Sequence, residues 1–323
     1  MSCVNEKYAE LGQPRRMWAI AAVCGDKDRL MTLHDHLALR IGPRDRLIYL
    51  GNYLGAAARN DEAVIDELLA FRAALLAKPG MEPTDIVHLR GPAEEAWQRL
   101  LRLQFAPAPT RTLETLLDAG AEAYLRLYGV SLNEARQSAR AGSVSITRWT
   151  NHLRLVQRAA LGHEALFCSM RRAAVTKATG TVGRDDERQK ILFVPAGFNG
   201  ARTLDDQADA LWFDSENYGA TGRGTDGYAR IVRGFDTSRD CVNTEGLMVS
   251  LDGGCGRGGP LVCGCFDEDG ALVEMVTVGG RGAVESFAVT ERTCVEEQPA
   301  TIDRPHATPL PTVQDVSQSS FAF

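Results

Sequence analysis

Three times in its first hundred residues the chain runs through a short apolar stretch, stops at a glycine-bearing turn and resumes in a helix-like pattern. The stretches are Ala-Ile-Ala-Ala-Val-Cys-Gly at 19–25, Leu-Ile-Tyr-Leu-Gly-Asn-Tyr-Leu-Gly at 47–55 and Val-His-Leu-Arg-Gly-Pro-Ala-Glu at 87–94. An apolar run closed by glycine reads as a buried strand that delivers residues to a loop. Strands at 17–23, 46–50 and 84–89 alternate with helices at 26–40 and 61–76; the first helix carries Leu30, Leu33 and Leu37 at helical spacing. This alternation predicts βαβ units and a largely parallel sheet, which places its ligands at the loops beyond the strand ends.

From 94 to 162 the pattern is helical and strand-poor. Leu113, Leu116, Leu117, Ala121, Tyr124 and Leu125 mark one face of a helix over 112–127, and 147–161 repeats the pattern, so the segment reads as a helical insertion. A basic, glycine-containing stretch at 171–190 leads to a strand at 191–194, and 219–227 reads as a loop. Strands follow at 228–232, 247–251, 260–266 and 272–278. Asp267-Glu268-Asp269-Gly270 between the last two predicts a terminal β-hairpin. The boundaries expected are a polar N-terminal extension at 1–15, one domain at 16–280 and a polar, proline-containing disordered tail at 281–323. The closing Phe321-Ala322-Phe323 reads as a frayed end or as a docking peptide.

A net charge of −6 over 323 residues argues against general nucleic-acid affinity, which needs a basic face. No apolar run reaches the roughly 18 residues of a membrane span. Residues 1–16 carry no apolar signal core, so the expected location is cytoplasmic. The eight cysteines, Cys3, Cys24, Cys168, Cys241, Cys255, Cys263, Cys265 and Cys294, are scattered, as in a reduced protein. Cys263 and Cys265 would share a strand face; they read as structural thiols, with a soft-metal site as the alternative.

The order of these pieces resembles the bacterial serine/threonine protein phosphatases of the calcineurin-like metallophosphoesterase family, over residues 16–279. That family carries Gly-Asp-x-His-Gly, Gly-Asp-x-x-Asp-Arg-Gly, Gly-Asn-His-Glu, His-Ala-Gly and Gly-His-Thr. The resemblance places the first motif on Ala21-Ala22-Val23-Cys24-Gly25, so Ala22 and Cys24 stand at the ligand Asp and His. The second falls on Gly51-Asn52-Tyr53-Leu54-Gly55-Ala56-Ala57. Asn52 then stands at the metal-bridging Asp, Gly55 at the Asp that orients the catalytic His, and Ala56 at the phosphate-binding Arg. The third falls on Arg90-Gly91-Pro92-Ala93-Glu94, with Pro92 at the ligand Asn and Ala93 at the catalytic His. The fourth and fifth put Pro195 and Phe235 at the two remaining ligand histidines.

The resemblance implies an α/β fold, a calcineurin-like metallophosphoesterase α/β/β/α sandwich with a helical insertion, stripped of its chemistry. Two adjacent dications require anionic or imidazole ligands, and alanine, proline and phenylalanine side chains offer no lone pair. Asn52 offers a carbonyl oxygen but no charge. The expectation is a catalytically inactive pseudophosphatase with no cofactor, acting through a protein partner or a small anionic ligand, with no nucleic acid and no membrane. Cys24, Asn52, Tyr53, Arg90, Arg233, Asp236 and Asp252 are the candidate ligand-binding residues. A residual phosphoesterase or an altered hydrolase in the same cleft is the alternative; a version built on Cys24 would need an acid partner and an oxyanion or phosphate cradle. None of the six histidines falls at a motif position. The Gly254-Cys255-Gly256-Arg257-Gly258-Gly259 segment reads as a turn, with an anion cradle as the alternative.

Overall fold

The computed structural model describes residues 7–55, 61–177, 190–237 and 242–289. The chain begins with β1 (Tyr8–Glu10) and β2 (Arg16–Ile20), then α1 (Lys27–Ala38), β3 (Asp45–Tyr49), α2 (Asp61–Leu76) and β4 (Ile86–His88). A helical block follows: α3 (Pro92–Leu100), α4 (Pro109–Leu116), α5 (Glu122–Leu127), α6 (Leu132–Arg140), α7 (Ser143–Ala159) and α8 (His163–Ser169). The second half is β-rich: β5 (Ala173–Val175), β6 (Lys190–Val194), the short α9 (Ala210–Phe213), β7 (Tyr228–Arg233) and β8 (Met248–Ser250). β9 (Leu261–Asp267), β10 (Leu272–Val278) and β11 (Val284–Ala288) close the described chain.

These strands form two mixed sheets, ordered β11-β10-β9-β2-β3-β4 and β1-β5-β6-β7-β8. Within the first, β2, β3 and β4 run parallel while β9 pairs antiparallel with β2. Strand alternation explains why the sheets stack. Trp18 and Ile20 of β2 face the helices, whereas Met17 and Ala19 face the other sheet, where Phe193 meets Phe266 edge to face at 5.8 Å. A core of Leu, Trp and Tyr side chains joins α1–α8 to the first sheet; Phe198, Leu211, Trp212 and Tyr218 cover the second. The layers are therefore those expected, α/β/β/α with a helical insertion. Among the described residues no helix is long and apolar enough to cross a membrane.

Four local expectations need correction. Residues 8–11 are part of the domain rather than a polar extension: β1 pairs in parallel with β5, and Tyr8 and Leu11 are buried. Three residues are too few for a visible alternation, and the same shortness hid β5 inside the basic stretch. The helix over 112–127 is broken at Leu117–Ala121, where Gly120 adopts φ 105° and Ala93 packs against it too closely for a Cβ. The terminal hairpin of β9 and β10 is extended by β11, which pairs antiparallel with β10 over Glu274–Val278, so the domain passes 281. β11 is largely exposed, which explains its polar look. The tail from 290, the stretch 178–189, Ala56, Ala57, Cys3, Cys241 and Cys294 lie outside the described residues.

Candidate functional site

The loops after β2, β3, β4, β6 and β7, on which the five motifs fall, leave their strands at the same end of the sandwich. The loop after β2 is strapped to the loop after β3: Cys24 N–H donates to the Asn52 carbonyl at 2.9 Å and Gly25 N–H to that of Tyr53 at 2.8 Å. Both loops turn through the left-handed region at non-glycine residues, Cys24 (φ 51°) and Asn52 (φ 55°). Such a conformation costs energy for most L-residues and persists only where the surroundings impose it. The loop after β4 presses on the loop after β3 so closely that a Cβ at Gly51 would sit 2.5 Å from Gly91 N.

One buried carboxylate holds this crossing. Glu94, on the first turn of α3 and fully buried, accepts N–H bonds from Asn52 (2.8 Å), Tyr53 (3.0 Å) and Gly91 (2.8 Å), and the Tyr124 hydroxyl also donates to it. Burial pushes its pKa up, and the four hydrogen bonds oppose that shift by stabilising the charged form. Asn52 Oδ1 accepts from Ala93 N–H at 3.2 Å, closing the knot.

On the second sheet the loops are tied by charges. Arg233, the last residue of β7, pairs with buried Asp236 and donates to Ser250 Oγ at 3.2 Å. Asp252, beyond β8, accepts from Asp236 N–H (2.8 Å), Gly254 N–H (2.9 Å) and Arg257 Nη2 (3.0 Å). Burial pushes the Asp252 carboxyl up, against those hydrogen bonds. The halves meet where Ala22 N–H donates to the Gly234 carbonyl at 3.0 Å and Cys255 Sγ–H to the Val23 carbonyl at 3.2 Å.

Between the two halves opens a cleft of about 470 Å³. Cys24, Asn52, Pro92, Ala93 and Phe235 line it, so five of the seven positions that the resemblance sets at metal ligands share one surface. Ala22 and Pro195 are buried and do not line it; the Pro195 carbonyl accepts from Gly234 and Phe235 N–H. Of the other candidates, Tyr53 is buried with its hydroxyl donating to the Leu89 carbonyl at 2.7 Å. Arg90 turns aside to Glu95, 3.4 Å away, and stands over Trp212 at 5.5 Å; burial pulls its pKa down. Arg233, Asp236 and Asp252 brace the loops and do not line the cleft.

A two-cation centre does not fit this donor set. Among the described residues no group of three or more His, Cys, Asp or Glu side chains could hold a metal ion. The Asn52 oxygen is already engaged, and the side chains of Ala22, Pro92, Ala93, Pro195 and Phe235 bring no donor. Cysteine chemistry fares no better. Burial, reinforced by neighbouring Cys255 and Asp252, pushes the Cys24 thiol far above its usual value, so the nucleophilic thiolate is disfavoured. No histidine is among the described residues lining the cleft. His88 is instead stacked on Tyr49 (4.7 Å) in the core, where burial holds its pKa down to about 3. Cys263 and Cys265 are likewise buried in the core against the helices.

Sequence reasoning passed over Glu94 as a loop-holding residue, although a Glu three positions into a helix that opens with Gly91-Pro92 is one half of a capping box. It also missed Trp212 and Phe213 as cleft walls; the expected turn at 254–259 is present, and its Arg257 lines the cleft.

No protein-family model matches the chain, and no curated protein matches it. Among solved structures, one similar chain is a candidate diadenosine tetraphosphatase (12% identity, 88% of this chain and 99% of that one, TM-score 0.44). Another is a protein serine/threonine phosphatase from Saccharomyces cerevisiae with similarity to human phosphatase PP5 (12% identity, 88% of this chain and 85% of that one, TM-score 0.42). At these values the site has to be read from its own residues.

Proposed function

We propose that the protein is a pseudophosphatase: a phosphatase-shaped chain that does not hydrolyse phosphate esters and acts by binding. The observation that carries this reading is the cleft itself. The loops that would supply metal ligands are held in place, yet Pro92, Ala93 and Phe235 line the space they enclose. Without cations no water is brought from a pKa of 15.7 towards the roughly 7 at which hydroxide forms at neutral pH. In this reading the protein is a bacterial, cytoplasmic regulator whose cleft and surrounding surface engage a protein partner or a small ligand, with no role in binding nucleic acid or membrane.

The test is metal content per chain after expression with manganese, iron and zinc, followed by hydrolysis of p-nitrophenyl phosphate by the same preparation. The reading expects a negligible fraction of one equivalent and no turnover above buffer. Two metals per chain with turnover that a chelator removes would overturn it.

A further inference from the structure

The cleft has a definite chemical character. One wall is aromatic. Trp212 and Phe213 of α9 and the loop residue Phe235 line it, and each ring has a guanidinium stacked on it: Arg172 at 4.6 Å from the Trp212 centroid, Arg99 at 5.3 Å from Phe213 and Arg257 at 5.7 Å from Phe235. A cation over a ring face satisfies the negative lobe of the ring quadrupole, so these rings are poor cages for a further cation.

Arg257 itself lines the cleft. It is 38% exposed, and its Nη2 is fixed by buried Asp252 at 3.0 Å, so the guanidinium is held at the wall rather than swinging in solvent. The opposite wall comes from the broken helix, where exposed Asp118 and Glu122 flank half-buried Ala119. The two acids set an upper limit on the negative charge a ligand can bring. A cleft of about 470 Å³ lies within the roughly 300–1,000 Å³ of small-molecule sites, and its mixture of apolar walls with one placed cation among the described residues is what such sites use to orient a ligand.

Resting on the reading of the cleft as a binding site, we infer that it takes an aromatic monoanion, a flat apolar body carrying one carboxylate or sulfonate group, with the ring against Phe235 and the acid group on Arg257. Phosphate monoesters, which carry close to two charges at neutral pH and little apolar surface when small, are poor ligands for such a cleft. The aromatic body supplies affinity by leaving water, and the guanidinium supplies orientation and the choice of charge.

The probe is 1-anilinonaphthalene-8-sulfonate, titrated by fluorescence into the intact chain beside the uncharged N-phenyl-1-naphthylamine. Expected is saturable binding of one dye per chain that millimolar inorganic phosphate does not displace, with the uncharged analogue about tenfold weaker. Arg257→Gln should weaken the dye by a similar factor while leaving the uncharged analogue unchanged, and Arg257→Lys should recover part of the loss. Ala119→Trp, which fills the cleft from the acidic side, should remove both ligands, with circular dichroism confirming the fold. If Ala119→Trp fails to fold, the charge series at Arg257 decides alone. No saturable binding, equal affinity for the two probes, or displacement by phosphate would overturn the inference. Because the dye needs neither metal nor turnover, it can fail while the chain remains metal-free and inactive, so the two readings fail separately.

Discussion

The two halves of the cleft are fastened by different physics. On the first sheet, the loops after β3 and β4 hang from one buried carboxylate, Glu94, through three backbone N–H groups. A tyrosine hydroxyl joins them, and the loop after β2 is strapped to the loop after β3. On the second, the loops after β7 and β8 are each braced by an ion pair, Arg233 with Asp236 and Arg257 with Asp252, and are joined where Asp236 N–H donates to Asp252. In a metal-dependent site bound cations would cross-link loops from both halves. Here the cross-links are made of protein, and apart from Asn52 and Arg257 their side chains lie beneath the cleft surface rather than on it. That separation explains how the surface can consist of Pro92, Ala93 and Phe235 while the loops stay in register.

The contrast between the halves is put under most strain at Glu94. Replacing it by Ala leaves three backbone donors and Tyr124 unsatisfied in the core, and a loss of about 4 kcal/mol is expected in urea unfolding. Glu94→Gln keeps one acceptor oxygen and should cost about half of that. Next is the second half. Arg233→Met removes the guanidinium paired with the buried Asp236 carboxylate, and about 3 kcal/mol is expected in the same measurement.

The aromatic core behind the first sheet gives an effect of similar direction but confined to acid. Unfolded His88 takes a proton near its ordinary pKa of 6.5, and folded His88 resists until about 3. Between those values the unfolded chain holds more protons, so stability is full above pH 6.5 and falls as pH drops towards 3, by up to about 4 kcal/mol. His34, also lowered by burial, adds in the same sense. His88→Phe keeps the stack on Tyr49, removes the unpartnered Nε2, and should flatten this acid limb in a series of urea midpoints from pH 7 to 4.

The weakest response concerns the cleft surface. Asn52→Asp adds one carboxylate at the crossing point, and its oxygen can still accept from Ala93 N–H. A single carboxylate beside proline, alanine and phenylalanine cannot hold two repelling dications. Calorimetric titration with manganese should therefore give no more heat than for the parent protein.

Much of this was legible in the sequence, and the reasons are specific. The βαβ start was visible because β2 and β3 are buried on both faces and end in glycine turns, and α2 was readable at Asp61–Leu76 from its apolar content. Strands of three residues, such as Tyr8–Glu10 and Ala173–Val175, are too short to show a period, and Gly120 broke a helix whose apolar face continued through it. Of the seven positions that the resemblance sets at metal ligands, five line the cleft. The residues that hold the loops were harder to see. Glu94 reaches 42 positions back to Asn52, and Asp252 reaches 16 back to Asp236, contacts that no local pattern encodes. Tyr53, Arg90 and Arg233 were polar residues near the right loops, but their partners turn them away from the cleft.

If protein contacts, with Glu94 foremost, replace metal ions in holding the loops, metal should not change the stability of the fold. The decisive experiment is thermal unfolding of the same preparation in excess manganese and in excess chelator. A ligand that binds only the folded state at 100 times its Kd would add about 2.7 kcal/mol and raise the midpoint by several degrees. Coincident curves are expected. A clear rise with manganese, abolished by the chelator, would show that cations still fasten the loops and that Glu94 does not stand in for them.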